Sequence, residues 1–279
     1  MSGRLSRTRR QRTSAPVPPE LFDMKLRALR RDRAFRTGPE LFLHERAFAD
    51  CLDRIGLIRR RVRSALLIGC LDSGWIERLG EFADRVDPLD PGPCFAQAAG
   101  GREIIEDELV ADPGTYDLCV AVGTLDTVND LPQALARIRL TLGPDACFIG
   151  AMAGGETLPQ LRAAMRAADQ LRGEAVPHVH PRVEPAALAG LLFAAGFTMP
   201  VVDVDRVQVS YESLARLIHD LRLMGSTNIL AQRSRRPLSK AERQAAVEAF
   251  ASAQQGGRTT ETFEILHFAA WTAPDAGEG

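Results

Sequence analysis

Apolar runs of strand length alternate with stretches of helical period along most of this chain, and that alternation constrains the fold more than any other feature. SALLIG (64–69) precedes the helical segment WIERLGEF (75–82). A short strand at 84–87 ends in the proline-rich turn DPLDPGP, and REIIE (102–106) reads as a third strand. YDLCVAVGTL (116–125), apolar almost throughout between turn signals, is the clearest buried strand. The helix DLPQALARIRLTL (130–142) gathers Leu131, Ala134, Leu135, Ile138 and Leu142 on one face. The turn GPD then leads to the strand ACFIGAM (146–152). Strand–helix–strand repetition of this kind needs right-handed crossovers between parallel strands. The predicted class is therefore α/β, with a Rossmann-like doubly wound sheet.

Before the sheet, Leu41, Phe42, Phe48, Leu52, Ile55 and Ile58 recur at helical spacing. After it, a helix runs from Glu156 to about Leu171, and a loop carrying PHVHPR enters the helix PAALAGLLFAAG, with Gly196 as its C-cap. VVDVDRVQV (201–209) and TFEILHFAAWTA (262–273) are strands, with helices near 211–224 and 239–254 between them. An antiparallel last strand behind a helical insertion fits this order. The expected organisation is one domain over 20–273: a helical segment (20–60), a core (61–210), an insertion (211–256) and the last strand (262–273). Residues 1–19 are expected to be a disordered basic tail and 274–279 a loose end.

With 279 residues and 45% hydrophobic content, the chain can bury one large core. Its formal net charge of -1 supplies no field that calls for nucleic acid. No apolar run reaches the roughly 18–20 residues that span a bilayer, and no secretory core is visible. Cys51, Cys70, Cys94, Cys119 and Cys147 are scattered without a C-x-x-C pair, which suits buried thiols in a reduced, cytoplasmic-type protein. Arg4, Arg7, Arg9, Arg10 and Arg12 precede the first acid, Glu20. An organelle transit peptide, and with it the mitochondrial matrix, is the alternative reading of that leader. Lys25, Arg27, Arg30, Arg31, Arg33 and Arg36 then mark a basic helix. They form either a solvated face or a docking surface for an acidic partner or substrate.

A doubly wound sheet takes its ligand outside the carboxyl ends of its strands. Gly69, Cys70, Ser73 and Gly74, after the first strand, would then lie nearest a nucleotide-type cofactor, together with Gly123 after the fourth. Donors at a helix N-terminus there favour an anion, whereas Asp72 opposes one. The loop also lacks G-x-G, so a tight turn that binds nothing is the alternative. An acid ending the second strand can accept from a ribose diol; Asp87 is the first choice and Asp90 the reserve, unless either is a solvated turn residue. Glu106 and Asp107, after the third strand, are placed to reach an adenine amino group. His178 and His180 form an H-x-H without further ligands at zinc spacing, so they read as lid-loop residues and no metal is predicted. G-x-S-x-G, Walker and H-E-x-x-H motifs are missing, as is the G-x-G-x-x-G of a nicotinamide enzyme.

The stretch VNDLPQALARIRLTLGPDACFIGAMAGGETLPQLR (128–162) resembles the methyltransferase-like assembly factors of respiratory complex I and their bacterial relatives. These stand near the biotin-pathway methyltransferases acting on malonyl-carrier proteins. LFDMKLRALRRDRA (21–34), PHVHP (177–181), VDVDRVQVSY (202–211) and DLRLMGSTN (220–228) extend the resemblance, with FIGAMAGGETL and MGSTN the most specific parts. It implies a seven-stranded class I methyltransferase fold, S-adenosylmethionine as ligand, and a complex I subunit or another protein as partner. The implied function is methyl transfer to a protein or carrier-bound substrate. The alternative is a non-catalytic or arginine-modifying assembly factor. Three departures fall on the cofactor side. Leu67 and Leu71 replace an acid and a glycine of the family's D-L-G-C-G-x-G loop. Asp126-Thr127 replace a His-Trp pair. Ile105 takes the place of an acid, leaving Glu106 or Asp107. Gly154, Gly155, Thr157, His178, Tyr211, Asp220 and Asn228 remain in place, to line a substrate pocket or to hold the helical insertion.

Overall fold

A computed structural model describes residues 20–275. The tail expected over 1–19 and the residues after 275 lie outside the described part. Two helices, α1 (Met24–Thr37) and α2 (Phe42–Gly56), precede the sheet. Asp23 starts α1 by accepting from the Leu26 amide. The order then runs β1 (Val62–Ile68), α3 (Gly74–Gly80), β2 (Ala83–Asp90), α4 (Pro93–Ala98), β3 (Arg102–Glu103), β4 (Tyr116–Val122), α5 (Leu131–Thr141) and β5 (Leu142–Ala153). It continues with α6 (Pro159–Arg172), α7 (Pro185–Ala194), β6 (Thr198–Tyr211), α8 (Leu214–Leu223), α9 (Lys240–Ala251) and β7 (Thr259–Trp271).

The seven strands lie in the order β3-β2-β1-β4-β5-β7-β6, with β7 antiparallel to both neighbours and the other pairings parallel. The order reverses between β1 and β4, so Gly69 and Gly123 stand side by side at the switch point. β1 and β4 read as continuous apolar runs because helices cover both faces. On one face Leu135 and Ile138 of α5 and Leu188 of α7 meet Phe148 and Phe268. On the other, Phe48 of α2 stacks on Trp75 at 4.3 Å over Leu67 and Val120. A third cluster joins α6, α8 and α9 to the far ends of β6 and β7 through Leu217, Phe250 and Phe263. Among the described residues no helix is long and apolar enough to cross a membrane.

Several element bounds differ from expectation. The second strand does not stop at Asp87 but runs through Pro88 to Asp90. This is possible because β3 pairs only with Leu89 and Asp90, so the missing amide of Pro88 falls on an open edge. REIIE contributes only two residues to the sheet as β3. The GPD turn is absorbed into β5, and β7 begins at Thr259, where it pairs with Tyr211 at the end of a long β6.

Candidate functional site

Gly69 turns the chain out of β1 with φ +85°, and a Cβ there would lie 2.2 Å from the Val122 carbonyl oxygen. Only glycine fits so close a crossing. The Gly69 amide donates to the Leu89 carbonyl at 2.8 Å, which binds the loop to the end of β2. Cys70 and Leu71 turn inward and are buried, with burial pushing the Cys70 thiol up to about 12. Leu71 thus occupies core where the family loop has glycine. Ser73 is exposed, and the Gly74 amide at the start of α3 donates to the Asp72 carboxylate at 2.8 Å. The charge that opposed anion binding in the sequence therefore takes a donor of the loop for itself.

The expectation that Asp87 ends the second strand is corrected by the fold. Asp87 lies within β2, half-exposed, and accepts from the Tyr116 hydroxyl at 2.9 Å. Asp90 stands at the strand's end instead, because β2 is longer than its proline signals suggest. Its side chain is 0% exposed. It accepts from Arg31 Nε at 2.9 Å and Nη2 at 2.5 Å, and from the Gly92 amide at 2.6 Å. Burial pushes the Asp90 carboxyl up, against the opposing pull of Arg31.

Glu106 is equally enclosed and takes a fork from Arg27, Nη1 at 2.7 Å and Nη2 at 2.8 Å. Arg27 Nη2 also donates to the Thr124 carbonyl at 2.8 Å. Arg27 and Arg31 are one helical turn apart, so α1 sets both guanidinium groups on the carboxyl edge of the sheet. Asp107 does different work. It accepts from the Asp130 amide at 3.0 Å, and its carbonyl accepts from Gln133 Nε2 at 2.7 Å. That ties the segment after β3 to α5.

Beyond Gly123 lies a cavity of about 90 Å3, small beside the roughly 300–1,000 Å3 of ordinary ligand sites. His44, Gly123, Asp126, Thr157, Arg182 and Glu264 are among its walls. A Cβ on Gly123 would lie 2.7 Å from the His44 ring, so that glycine makes room for the imidazole. His44 Nδ1 is enclosed without a hydrogen-bond partner, and burial pulls the ring down to about 3, leaving it neutral. Asp126 pairs with Arg182, whose guanidinium burial lowers to about 10. Of the two residues standing for the family's His-Trp pair, Asp126 is one half of an internal ion pair and Thr127 donates to the Thr124 carbonyl at 3.0 Å.

Of the C-terminal group that keeps the family pattern, Thr157 reaches this cavity, and its hydroxyl bonds the Glu264 backbone, donating to the carbonyl at 3.0 Å and accepting from the amide at 3.1 Å. Gly154 donates to the same carbonyl at 2.9 Å, and Gly155 leaves space for the Glu184 carboxylate. His178 Nε2 lies 2.8 Å from Asp169 Oδ1, whereas His180 Nε2 accepts from the Ile229 amide at 3.0 Å. The H-x-H pair therefore points to two separate partners. Tyr211 is buried in the cluster under α8, and Asp220 pairs with Arg216 at 3.2 Å. Asn228 donates to the Pro177 carbonyl at 2.8 Å. The His180 and Asn228 contacts fasten the insertion to the loop between α6 and α7. Sequence reasoning placed Arg27 and Arg31 only on a solvated or docking face and missed His44 and Arg182; the ion-pair partners of the three arginines are all remote in the chain.

No family model matches the chain. Curated relatives do. The arginine-hydroxylase NDUFAF5 of Danio rerio is 32% identical over 247 residues, 84% of this chain and 76% of that protein. The chain belongs to the NDUFAF5 arginine-hydroxylase family. The Mus musculus member is 31% identical and spans 95% of this chain and 81% of its own length. A malonyl-[acyl-carrier protein] O-methyltransferase of Laribacter hongkongensis is more distant, 27% identical over 59% of this chain and 54% of that protein. Among solved structures, the YcgJ protein of Bacillus subtilis superposes with a TM-score of 0.53 at 8% identity, over 81% of this chain and 100% of that one. A Haemonchus contortus phosphoethanolamine N-methyltransferase 2 in complex with S-adenosyl-L-methionine gives 0.50 at 13% identity, over 81% and 52%. The NDUFAF5-family chain thus has the fold of the S-adenosylmethionine-dependent methyltransferases, as its motifs imply.

Proposed function

We propose that the protein is an S-adenosylmethionine-binding, methyltransferase-like assembly factor for respiratory complex I, with α1 holding its cofactor site shut. One arrangement carries this reading. Asp90 at the end of β2 and Glu106 beyond β3 are buried carboxylates on the carboxyl edge of the sheet, beside the β1–β4 switch point where an open α/β sheet takes a nucleotide. Both are held there by cations from one helix. With α1 seated, the residues do not fit the cofactor, because each acid is already forked by a guanidinium. No chemical step is assigned to it for that reason.

Magnitudes set the expected affinity. Separating the two buried ion pairs costs about 6–10 kcal/mol, of which ribose hydroxyls and an adenine amine return roughly half. A micromolar ligand contributes about 8.2 kcal/mol, so a net loss near 4 kcal/mol leaves binding in the millimolar range. The relatives named arginine hydroxylases support a protein partner, which we place in complex I.

Calorimetric titration with S-adenosylmethionine tests the cofactor half. The wild type is expected to bind at about millimolar concentration, and Arg27→Met/Arg31→Met at least tenfold more tightly. Absence of heat with both proteins at millimolar ligand would remove the cofactor from the reading. Capture of a complex I subunit by the immobilised full chain tests the partner half; failure to retain any such subunit counts against it.

A further inference from the structure

The inward face of α1 carries Arg27 and Arg31; its outward face has a different chemistry. Leu26, Leu29, Arg30 and Arg33 meet Ile218 and Arg222 of α8 along a groove of about 550 Å3, completed by Thr227 and Asn228. Three guanidinium groups line it and no carboxylate does. The arrangement is local, since the whole chain has 35 basic and 36 acidic residues. Elsewhere on the surface arginines meet acids, as in Arg46–Asp205, Arg61–Asp84 and Arg258–Glu212. Among the described residues neither Arg33 nor Arg222 forms an ion pair, and Arg30 donates to the Thr227 hydroxyl.

Burial lowers the Arg30 guanidinium below its ordinary range, and Arg233, Arg33 and Arg222 add to this, against one acid, Asp23. Asp23 is itself engaged by the Leu26 amide and by Arg233. Of the charges acting on Arg30, three are guanidinium groups, and the one acid is already engaged elsewhere. Its floor is aliphatic rather than aromatic, and Leu29 is left 63% exposed between the arginines. An isolated phosphate would leave that leucine wet, and a base-stacking strand would find no ring to stack on.

We propose that the groove between α1 and α8 docks an acidic segment of a partner protein, with carboxylates on Arg30, Arg33 and Arg222 and an aliphatic side chain over Leu29. A concave site with an apolar floor and a charged rim suits an amphipathic peptide better than a flat lipid surface. The proposal does not depend on cofactor binding, because none of these side chains touches Asp90 or Glu106.

The test uses the full chain and a fluorescent amphipathic peptide of about 16 residues built from glutamate, leucine and alanine, read by anisotropy. A lysine-for-glutamate peptide, a single-stranded oligonucleotide and phosphatidylglycerol vesicles are compared with it. The acidic peptide is expected to bind best and to weaken about tenfold between roughly 50 and 300 mM salt. Arg33→Glu/Arg222→Glu should lose at least tenfold and Leu29→Ser severalfold. Arg59→Glu/Arg166→Glu, which changes the net charge equally on other surfaces, should bind as the wild type does. Melting curves identify any variant that fails to fold, and Leu29→Ser then stands as the independent probe. Equal loss in both charge-reversed pairs would overturn the proposal. Tighter binding of the oligonucleotide or the vesicles than of the peptide would overturn it too.

Discussion

Arg31 closes on Asp90 across 59 residues of chain, its Nε and Nη2 2.9 and 2.5 Å from the two carboxylate oxygens. The two side chains are 5% and 0% exposed. The acid that this architecture offers to a ribose is satisfied by the protein's own first helix. Arg27 repeats the contact one turn earlier on Glu106. The altered glycine loop and the occupied acids belong to the same half of the site, while the cavity beside Gly123 stays open.

Replacing one member of this pair should destabilise more than replacing both. Arg31→Met leaves the Asp90 carboxylate buried without a cation, for an expected loss of about 3–5 kcal/mol. Arg31→Met/Asp90→Leu removes both charges and should recover a large part of that loss. Urea denaturation of the double-mutant cycle measures the coupling; additive effects would show the pair to be energetically idle.

The two loop glycines should behave differently. Gly69→Ala meets both a φ of +85° and the Val122 carbonyl oxygen at 2.2 Å, and is expected to cost about 2 kcal/mol or more. Gly74 has no left-handed φ, and a Cβ there would meet Asp72 Oδ1 at 3.2 Å, an exposed side chain free to shift. Gly74→Ala should stay within about 0.5 kcal/mol of the wild type in a thermal melt.

Stability should fall on mild acidification. Burial lowers His44 to about 3 and His180 to about 4, from an unfolded value of 6.5. Below pH 6.5 the unfolded chain takes up protons that the folded chain refuses, so stability drops as pH falls toward 4. At about pH 5.5 each ring contributes a loss of roughly 1 kcal/mol. His44→Gln should flatten this slope in denaturation curves between about pH 7 and 5; an unchanged slope would place the protonation elsewhere.

Alkylation should separate the cysteines. Cys94 is half-buried, whereas Cys51, Cys70, Cys119 and Cys147 are buried. Burial raises Cys70 to about 12, which keeps the thiolate scarce despite its position in the loop. Iodoacetamide on the native protein should label Cys94 first and reach Cys70 only on unfolding, as peptide mass analysis would record.

The fold was legible because its determinants are local. The apolar runs of β1 and β4 announce strands covered on both faces, and the periodicity of α5 gives its buried stripe, Ala134, Leu135 and Ile138. FIGAMAGGETL resembles its family strongly enough to imply the seven-stranded sheet from sequence alone. The second strand shows where local reading failed. Asp-Pro twice in DPLDPGP signals a turn, yet parallel pairing with β1 as far as Leu89, and with β3 at Leu89 and Asp90, carries the strand on. That extension leaves Asp87 inside the strand and puts Asp90 at its end.

By itself the sequence determined the α/β class, the antiparallel ending, the helical insertion and the family, since periodicity and motif are written in neighbouring residues. The tertiary structure alone decided what fills the site. Arg27 and Arg31 look like members of a solvated basic helix. Their partners Glu106 and Asp90 lie 79 and 59 residues away, a distance at which no local pattern specifies pairing. Only when α1 crosses the carboxyl edge of the sheet do buried acids, which need counter-charges, meet buried arginines, which need the same.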